Sequence, residues 1–200
     1  GLSIDDSAGQ NGSFRFIHLI GSHPPYTLDR NVEPTSDSSK QNVEEQTMGA
    51  YRIVAQYIAE LKRLGVYENT SFIITADHGE WYLTDTDIQR PSAPVIMYKP
   101  AGQTAEEAAQ PMQVSDAPVW HYDIFAQTLK DMGADQQMLS NYTTPLDESY
   151  EGENRPRYYL ETISENNHDA ELREFVINGD ATNFNNWSLT GNTWRLMPKK

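Results

Sequence analysis

The feature that most constrains the fold is an uncharged run, residues 71–76, that leads straight into an acidic residue and a histidine. The run reads Ser-Phe-Ile-Ile-Thr-Ala, and its β-branched and aromatic side chains predict a buried strand. The sequence continues as Asp-His-Gly-Glu at 77–80. In open α/β sheets, ligands bind beyond the carboxyl ends of the strands. The pattern therefore predicts a functional site where this strand ends.

Asp77 and His78 are the candidate metal ligands of this site. Successive side chains of a regular strand point to opposite faces, so these two can meet only if the chain leaves the sheet here. Gly79 makes such a turn easy. A carboxylate and an imidazole together suit a divalent ion such as zinc or manganese. For so short a motif, a turn residue beside a surface histidine stays an open alternative.

Two further segments extend this strand into a predicted βαβ unit. Residues 14–20 read Phe-Arg-Phe-Ile-His-Leu-Ile and predict another strand. Apolar residues at three- and four-residue spacing predict a helix over 41–64, with Gly65 as its C-terminal cap and either Ser39 or Asn42 at its start. Strand, helix and strand in this order predict a parallel pair joined by a right-handed crossover.

His23 is the third candidate site residue. It follows the first predicted strand on a loop that Pro24 and Pro25 stiffen, and these prolines forbid continuation of the strand. Parallel strands end at the same edge of a sheet, so we expect His23 near Asp77 and His78. His18, within the predicted strand, is interpreted as a packed core residue.

The rest of the chain predicts one more strand, one more helix and a separate small sheet. The strand covers 93–98, and the helix covers 116–132, with Ser115 as its cap. His121 on that helix is interpreted as a surface or capping residue. Three short strands near 158–163, 172–178 and 187–189 are separated by turn signals and predict an antiparallel sheet.

The predicted fold class is therefore α/β, with a mostly parallel sheet flanked by helices and a small C-terminal antiparallel sheet. The predicted domains are an α/β part over 14–133 and a loop with a small β subdomain over 134–200.

Charge and composition exclude several function classes. Lysine and arginine total 15 against 29 acidic residues, for a net charge of −14. Nucleic acid and anionic membrane surfaces are poor partners for such a chain because phosphate attraction needs a basic face. The absence of cysteine excludes disulfides and thiolate chemistry. The chain opens without methionine, and we expect it to be part of a longer protein.

Three blocks of the sequence resemble the sulfatase branch of the alkaline phosphatase superfamily. They are the block from Phe16 to Tyr26, the amphipathic helix ending in Leu-Gly, and the block from Thr70 to Glu80. The closest likeness is to bacterial membrane-anchored members, namely lipoteichoic acid synthases and phosphoethanolamine or phosphoglycerol transferases. Many of these relatives carry another histidine about a dozen residues after the Asp-His-Gly block. Residues 81–90 contain none, which leaves the substrate open.

The resemblance implies roles for the candidate residues. It implies that Asp77 and His78 ligate a divalent metal (zinc, manganese, magnesium or calcium). It implies that His23 contacts the phosphate or sulfate group, or protonates the leaving oxygen. The family's other acidic ligand and its nucleophile lie in the first half of the domain, upstream of this segment, and Asp5-Asp6 is only a superficial echo of that ligand.

The resemblance also implies an activity and a location. The expected function is part of a metal-dependent hydrolase or transferase that acts on anionic phosphate or sulfate esters through a covalent intermediate. This segment would be inactive alone, and the expected location is the extracellular face of a bacterial membrane, with anchoring through upstream segments. Two alternatives stay open: a non-catalytic acidic interaction domain of the cell envelope with a vestigial site, and a phosphomutase or nucleotide pyrophosphatase of the same superfamily.

Overall fold

The structure is a computed structural model that describes residues 2–3, 12–36, 42–79, 93–142, 146, 155–164 and 169–196. The chain forms two compact units, Gly1–Thr70 with Ala101–Gln110, and Ser71–Pro100 with Pro111–Lys200. The elements are α1 (Val43–Arg63), β1 (Phe72–Thr75), β2 (Ile96–Lys99), α2 (His121–Asp131), α3 (Gln136–Leu139), β3 (Arg157–Ser164), β4 (Asp169–Ile177) and β5 (Trp187–Leu196). The fold is thus mixed α/β, and the predicted division at residues 133–134 stays a prediction.

The predicted helix of the first unit is confirmed as α1. Its acidic first turn and basic last turn match the helix dipole. Gly65 has a φ of 69°. Its N–H donates to the Lys62 carbonyl at 3.0 Å and that of Val66 donates to the Leu61 carbonyl at 3.1 Å. This pair of bonds is a Schellman motif, which explains why the helix stops where glycine allows a left-handed residue.

The segment before α1 folds back onto the helix. Asp29 and Glu33 join through a backbone bond of 2.9 Å, and Thr35 donates to the Thr27 carbonyl at 2.8 Å. Gly49 of α1 lies against this segment so closely that a Cβ there would be 2.6 Å from the Asp29 carbonyl oxygen. A glycine is therefore required at this position for the backbone to approach.

The structure contradicts the predicted strand over 14–20, since these residues form neither helix nor strand. Phe16 is 83% exposed and Ile20 is 77% exposed, and His18 is exposed as well. A strand needs a neighbour that supplies its ladder of hydrogen bonds, and β propensity alone does not create one. The predicted βαβ unit is therefore wrong in this structure.

Both sheets of the described chain are antiparallel. Strand β1 pairs with β2, with Phe72 opposite Lys99 and Thr75 opposite Ile96. The strand predicted over 93–98 is confirmed in its second half, because β2 begins at Ile96. The expectation of a mostly parallel sheet is not met by the described strands. The periodicity of a buried strand indicates burial and leaves the direction of its partner open.

Helix α2 begins later than the sequence predicts. Ser115 accepts a bond from the Ala117 N–H at 3.1 Å in a turn and does not cap the helix. Asp123 instead accepts the Trp120 N–H at 2.9 Å, and the helix begins at His121. The helix ends at Asp131, and Met132 leads to Gly133, whose φ of 82° is left-handed.

The predicted small antiparallel sheet is confirmed as β3-β4-β5. Its core is formed by Tyr159, Phe175 and Trp187. The third strand is longer than the predicted 187–189, because β5 continues through Gly191 to Leu196. The register between β4 and β5 shifts near Glu174, whose carboxylate accepts bonds from Thr190 and Asn192. Thr190 and Asn192, which are residue types common in turns, therefore lie at an irregularity of the β4–β5 pairing.

Among the helices of the described residues, none combines the length and apolar character needed to cross a membrane.

Candidate functional site

The chain leaves the sheet where the sequence predicts it. Strand β1 ends at Thr75, and Asp77 and His78 follow in a bend after Ala76. Asp77 Oδ1 accepts the His78 N–H at 3.1 Å. His78 Nδ1 lies 2.8 Å from the Gly79 carbonyl oxygen. A carbonyl only accepts, so this bond places the proton on Nδ1 and the lone pair on Nε2.

The donor atoms of Asp77 and His78 converge. His78 Nε2 lies 3.7 Å from Asp77 Oδ2. Two ligands about 2.1 Å from a tetrahedral ion are about 3.4 Å apart, so this separation is close to the bite that a zinc-like ion requires. The Asp77 side chain is 90% exposed and that of His78 is 44% exposed. The two residues therefore fit a metal in donor type, in tautomer and in spacing.

His121 supports this bend from α2. Its Nε2 lies 2.6 Å from the carbonyl oxygen of Ala76, the residue before Asp77. The interpretation of His121 as a surface residue is correct in that it is exposed, but the sequence contains no sign of this contact. His121 lies far from Asp77 in the sequence, and only the packing of α2 beside β1 brings His121 to this bend.

A polar network ties the other end of β1 to the same helix. The Ser71 hydroxyl and the Tyr98 hydroxyl both bond to the Asp131 carboxylate, the latter at 3.0 Å. The buried Gln127 donates to the Tyr98 hydroxyl at 2.8 Å. Burial, followed by the negative charge of Asp131, raises the pKa of Tyr98 above its ordinary value.

His23 lies in the other compact unit, on the loop before α1. Its Nδ1 is 2.6 Å from the Pro24 carbonyl oxygen, so the proton again belongs on Nδ1 and the lone pair on Nε2. The side chain is exposed. Gln46 of α1 donates to the His23 carbonyl at 3.0 Å. Gln46 is a residue that the sequence analysis missed, because nothing in a helical pattern marks a buried amide that binds a distant loop.

The structure thus brings together Asp77 and His78 within one unit, with His121 behind them. Within the described ranges, no group of three or more histidine, aspartate and glutamate residues could hold a metal ion. Asp5, Asp6 and Glu80 lie outside the described residues. The metal and substrate roles of His23, Asp77 and His78 stay predictions.

The chain is thus a mixed α/β protein with a carboxylate and an imidazole spaced for a metal at the end of a strand. The comparison with protein families is more specific. The model of the family described as Sulfatase matches residues 2–134, more than half of the 200-residue chain. The chain belongs to the sulfatase family. Membership indicates a hydrolase acting on sulfate or phosphate esters, in a family that generally uses a divalent metal ion.

No curated protein and no solved structure matches the chain.

Proposed function

We propose that this chain supplies metal-binding and anion-binding residues to a metal-dependent enzyme that cleaves phosphate or sulfate esters. Asp77 and His78 would hold a divalent ion, and His23 would contact the anionic group of the ester. The observation that carries the proposal is the 3.7 Å separation of Asp77 Oδ2 and His78 Nε2, in a family of ester hydrolases. Zinc, manganese, magnesium and calcium are the candidate ions.

A bound divalent ion supplies positive charge that neutralises the non-bridging oxygens of the ester and lowers the pKa of an oxygen nucleophile. The protein's own residues prepare for it. The His78 N–H and the Gly79 carbonyl hold the Asp77 carboxylate and the His78 ring in place. Hydrogen bonds of this kind to the atoms that do not ligate raise affinity by fixing tautomer and orientation.

The proposed reaction passes through a covalent enzyme intermediate. An enzyme hydroxyl attacks phosphorus or sulfur, the ester bond breaks, and the alcohol leaves with the proton that the hydroxyl gives up. Water in a hydrolase, or an acceptor alcohol in a transferase, then attacks the intermediate, which restores the hydroxyl and releases phosphate, sulfate or the new ester. The nucleophile is a residue other than His23, Asp77 and His78, and the family resemblance assigns it to the first half of the catalytic domain. His23 Nε2 is suited to accept or deliver a proton near the leaving oxygen.

Metal titration tests the proposal directly. We expect Mn²⁺ or Zn²⁺ binding, measured by calorimetry, to weaken at least about tenfold in Asp77→Asn and in His78→Gln. Asp116→Asn and His18→Gln are matched controls, because both residues are exposed and neither has an assigned role. Equal affinity in all four variants would contradict the assignment of Asp77 and His78.

An activity assay tests the assignment of the nucleophile to another part of the domain. We expect the 200-residue chain not to hydrolyse p-nitrophenyl phosphate or p-nitrophenyl sulfate. Hydrolysis that is lost in Asp77→Ala would support the metal site and contradict the absence of a nucleophile.

Within the family, we propose the branch of lipoteichoic acid synthases and phosphoglycerol or phosphoethanolamine transferases, at the extracellular face of a bacterial membrane. The blocks ending at Tyr26 and Glu80 support this proposal, and the group that enzymes of this branch transfer implies a phosphate ester as the substrate. A preference for p-nitrophenyl sulfate over p-nitrophenyl phosphate, measured on an enzyme that also contains the nucleophile, would contradict it.

A second candidate is a non-catalytic acidic interaction domain. One observation favours it, namely the net charge of −14. The calorimetric titration separates the two candidates, since a vestigial site would not bind the ion through Asp77 and His78.

A further inference from the structure

The buried side chain of Gln46 makes four hydrogen bonds to the loop that carries His23, a candidate site residue. It is 6% exposed. Its Oε1 accepts the N–H groups of Thr27 at 2.8 Å and of Leu28 at 3.1 Å. Its Nε2 donates to the carbonyls of Gly21 at 2.8 Å and of His23 at 3.0 Å. An amide has two donors and two acceptor lone pairs, so every hydrogen-bonding position of Gln46 is occupied.

The four partners also fix the orientation of the amide. Exchanging its oxygen and nitrogen would set donors against the N–H groups of Thr27 and Leu28, and an acceptor against the carbonyls of Gly21 and His23. The loop has no sheet ladder to satisfy these backbone groups, and an unmade bond to a buried group is costly. Gln46 therefore satisfies four backbone groups of residues 21–28, as the hydrogen bonds of a neighbouring strand would.

Asn42 lies one helical turn earlier and holds a different part of the same loop. Its Nδ2 donates to the carbonyls of Tyr26 at 3.1 Å and of Leu28 at 3.2 Å. Like Gln46, it is 6% exposed. Two buried amides, Gln46 on α1 and Asn42 just before its first residue, thus bind the loop, and Gln46 is the one that bonds to His23.

We propose that Gln46 is a positioning residue for the His23 imidazole, resting on the proposed function in which His23 contacts the anionic ester. Gln46 fixes the backbone carbonyl of His23, and the Pro24 carbonyl fixes the ring through its bond to Nδ1. The two bonds together set both the position and the tautomer of the ring. Nε2 is then the ring nitrogen left to face the anion, and a proton bound there can be donated to an oxygen of phosphate or sulfate without reorganisation of the ring.

The test compares two substitutions of the same chemistry, one in the first turns of α1 and one at the residue before it. Gln46→Glu keeps acceptors for Thr27 and Leu28 but removes the two donor bonds, including the one to His23. Asn42→Asp also replaces a buried amide by a carboxylate and removes two donor bonds, but it leaves the His23 carbonyl bound. The pair is matched in charge, in burial and in the number of bonds lost.

Two measurements are made on the 200-residue chain: the ¹⁵N shifts of the His23 ring at about pH 8, and its chemical-shift titration with inorganic phosphate at about pH 6, where an imidazolium can donate to the anion. We expect Gln46→Glu to weaken phosphate binding about tenfold and to lower the population of the Nδ1–H tautomer. We expect Asn42→Asp to change phosphate affinity less than about twofold and to leave the tautomer unchanged. Equal effects of the two variants on ring and affinity would overturn the inference, because Gln46 would then be merely structural.

His23→Gln separates the inference from the proposed function. If this variant binds phosphate as the parent does, the assignment of His23 to the anion is wrong, while the ring tautomer in Gln46→Glu still decides the role of Gln46. Should either carboxylate variant fail to fold, Gln46→Met and Asn42→Leu replace the pair with uncharged side chains. A disturbed His23 ring in Gln46→Met alone would support the inference, and an undisturbed ring would overturn it.

Discussion

The Asp123 carboxylate is the most deeply buried charged group of the described chain, with no exposed surface. Its Oδ2 accepts the Trp120 N–H at 2.9 Å, which caps α2, and the Arg155 guanidinium at 2.6 Å. The guanidinium also lies over the Trp120 ring, 4.6 Å from its centre. One carboxylate thus joins the start of a helix to the segment that leads into β3. Removing its cation would leave an uncompensated buried charge.

We expect Arg155→Met to lower the free energy of unfolding by about 3 kcal/mol, because it leaves the buried Asp123 carboxylate without its cation. The double variant Asp123→Asn/Arg155→Met should recover part of this loss, because it removes both charges. Urea denaturation of the parent, the single variants and the double variant measures the coupling. Strictly additive losses would contradict a direct interaction between the two side chains.

Tyr98 predicts a dependence of stability on alkaline pH. Its pKa is raised by burial and by Asp131, so the folded state keeps the phenol proton at a pH where the unfolded chain, with the ordinary value of 10.0, releases it. The stabilisation is therefore complete below that ordinary value and is lost as the pH rises above it. At about pH 8, Tyr98→Phe should be less stable than the parent by about 1 kcal/mol, and the difference should shrink by about pH 11.

The measurement is urea unfolding of the parent and of Tyr98→Phe at both pH values. Tyr51→Phe is the control, because Tyr51 is 39% exposed on α1. A difference for Tyr98→Phe that stays constant with pH would show that the folded and unfolded states titrate alike.

At the scale of elements, α1 depends on the close approach of its backbone to the segment before it. The position of Gly49 leaves no room for a methyl group beside the Asp29 carbonyl, and the neighbouring atom is backbone that cannot rotate away. The ion pair between Arg30 and Glu45 joins the same segment to the exposed side of the helix. Exposed pairs contribute little, so the glycine contact and the buried amides determine this packing.

Gly49→Ala should therefore destabilise the chain by about 1–3 kcal/mol, although alanine is the better helix former. Gln56→Ala, an exposed position of the same helix, should change stability by less than about 0.5 kcal/mol. Thermal unfolding measures both variants. A stabilised Gly49→Ala variant would mean that the loop moves away from α1 at no cost.

The elements also show how far the sequence alone leads. Helix α1, its glycine stop and the C-terminal sheet follow from local signals: a 3.6-residue period, a left-handed glycine and alternating strands. The position of Asp77 and His78 after a strand is found for the same reason. The direction of β2, the missing strand at 14–20 and the contacts of Gln46 and His121 depend on which segments pack together, and local pattern does not contain that information.

At the scale of the whole molecule, the net negative charge affects both the stability of the folded chain and its binding of anions. The net charge of −14 is spread over 29 acidic and 15 basic residues, so the folded chain repels itself. An anionic ester meets the same repulsion and needs local positive charge to bind. Screening by salt reduces both effects over a distance of about 10 Å at 0.1 M.

We expect the free energy of unfolding to rise by on the order of 1 kcal/mol between about 20 mM and about 200 mM NaCl, because salt screens the repulsion in the compact state. Urea is the denaturant of choice since it carries no charge. KCl should have the same effect as NaCl, which separates screening from specific ion binding. A fall in stability with salt would mean that attractive pairs outweigh the repulsion.

Helix α2 is attached to both ends of β1, through Asp131 at Ser71 and through His121 at Ala76. Eleven helical residues and a six-residue extended run have nearly the same length, about 16 Å. The helix and the strand are therefore joined by a hydrogen bond at each end. A shift of the helix by one turn along the strand would break both bonds at once, so we expect α2 and β1 to move together and to carry Asp77 and His78 with them.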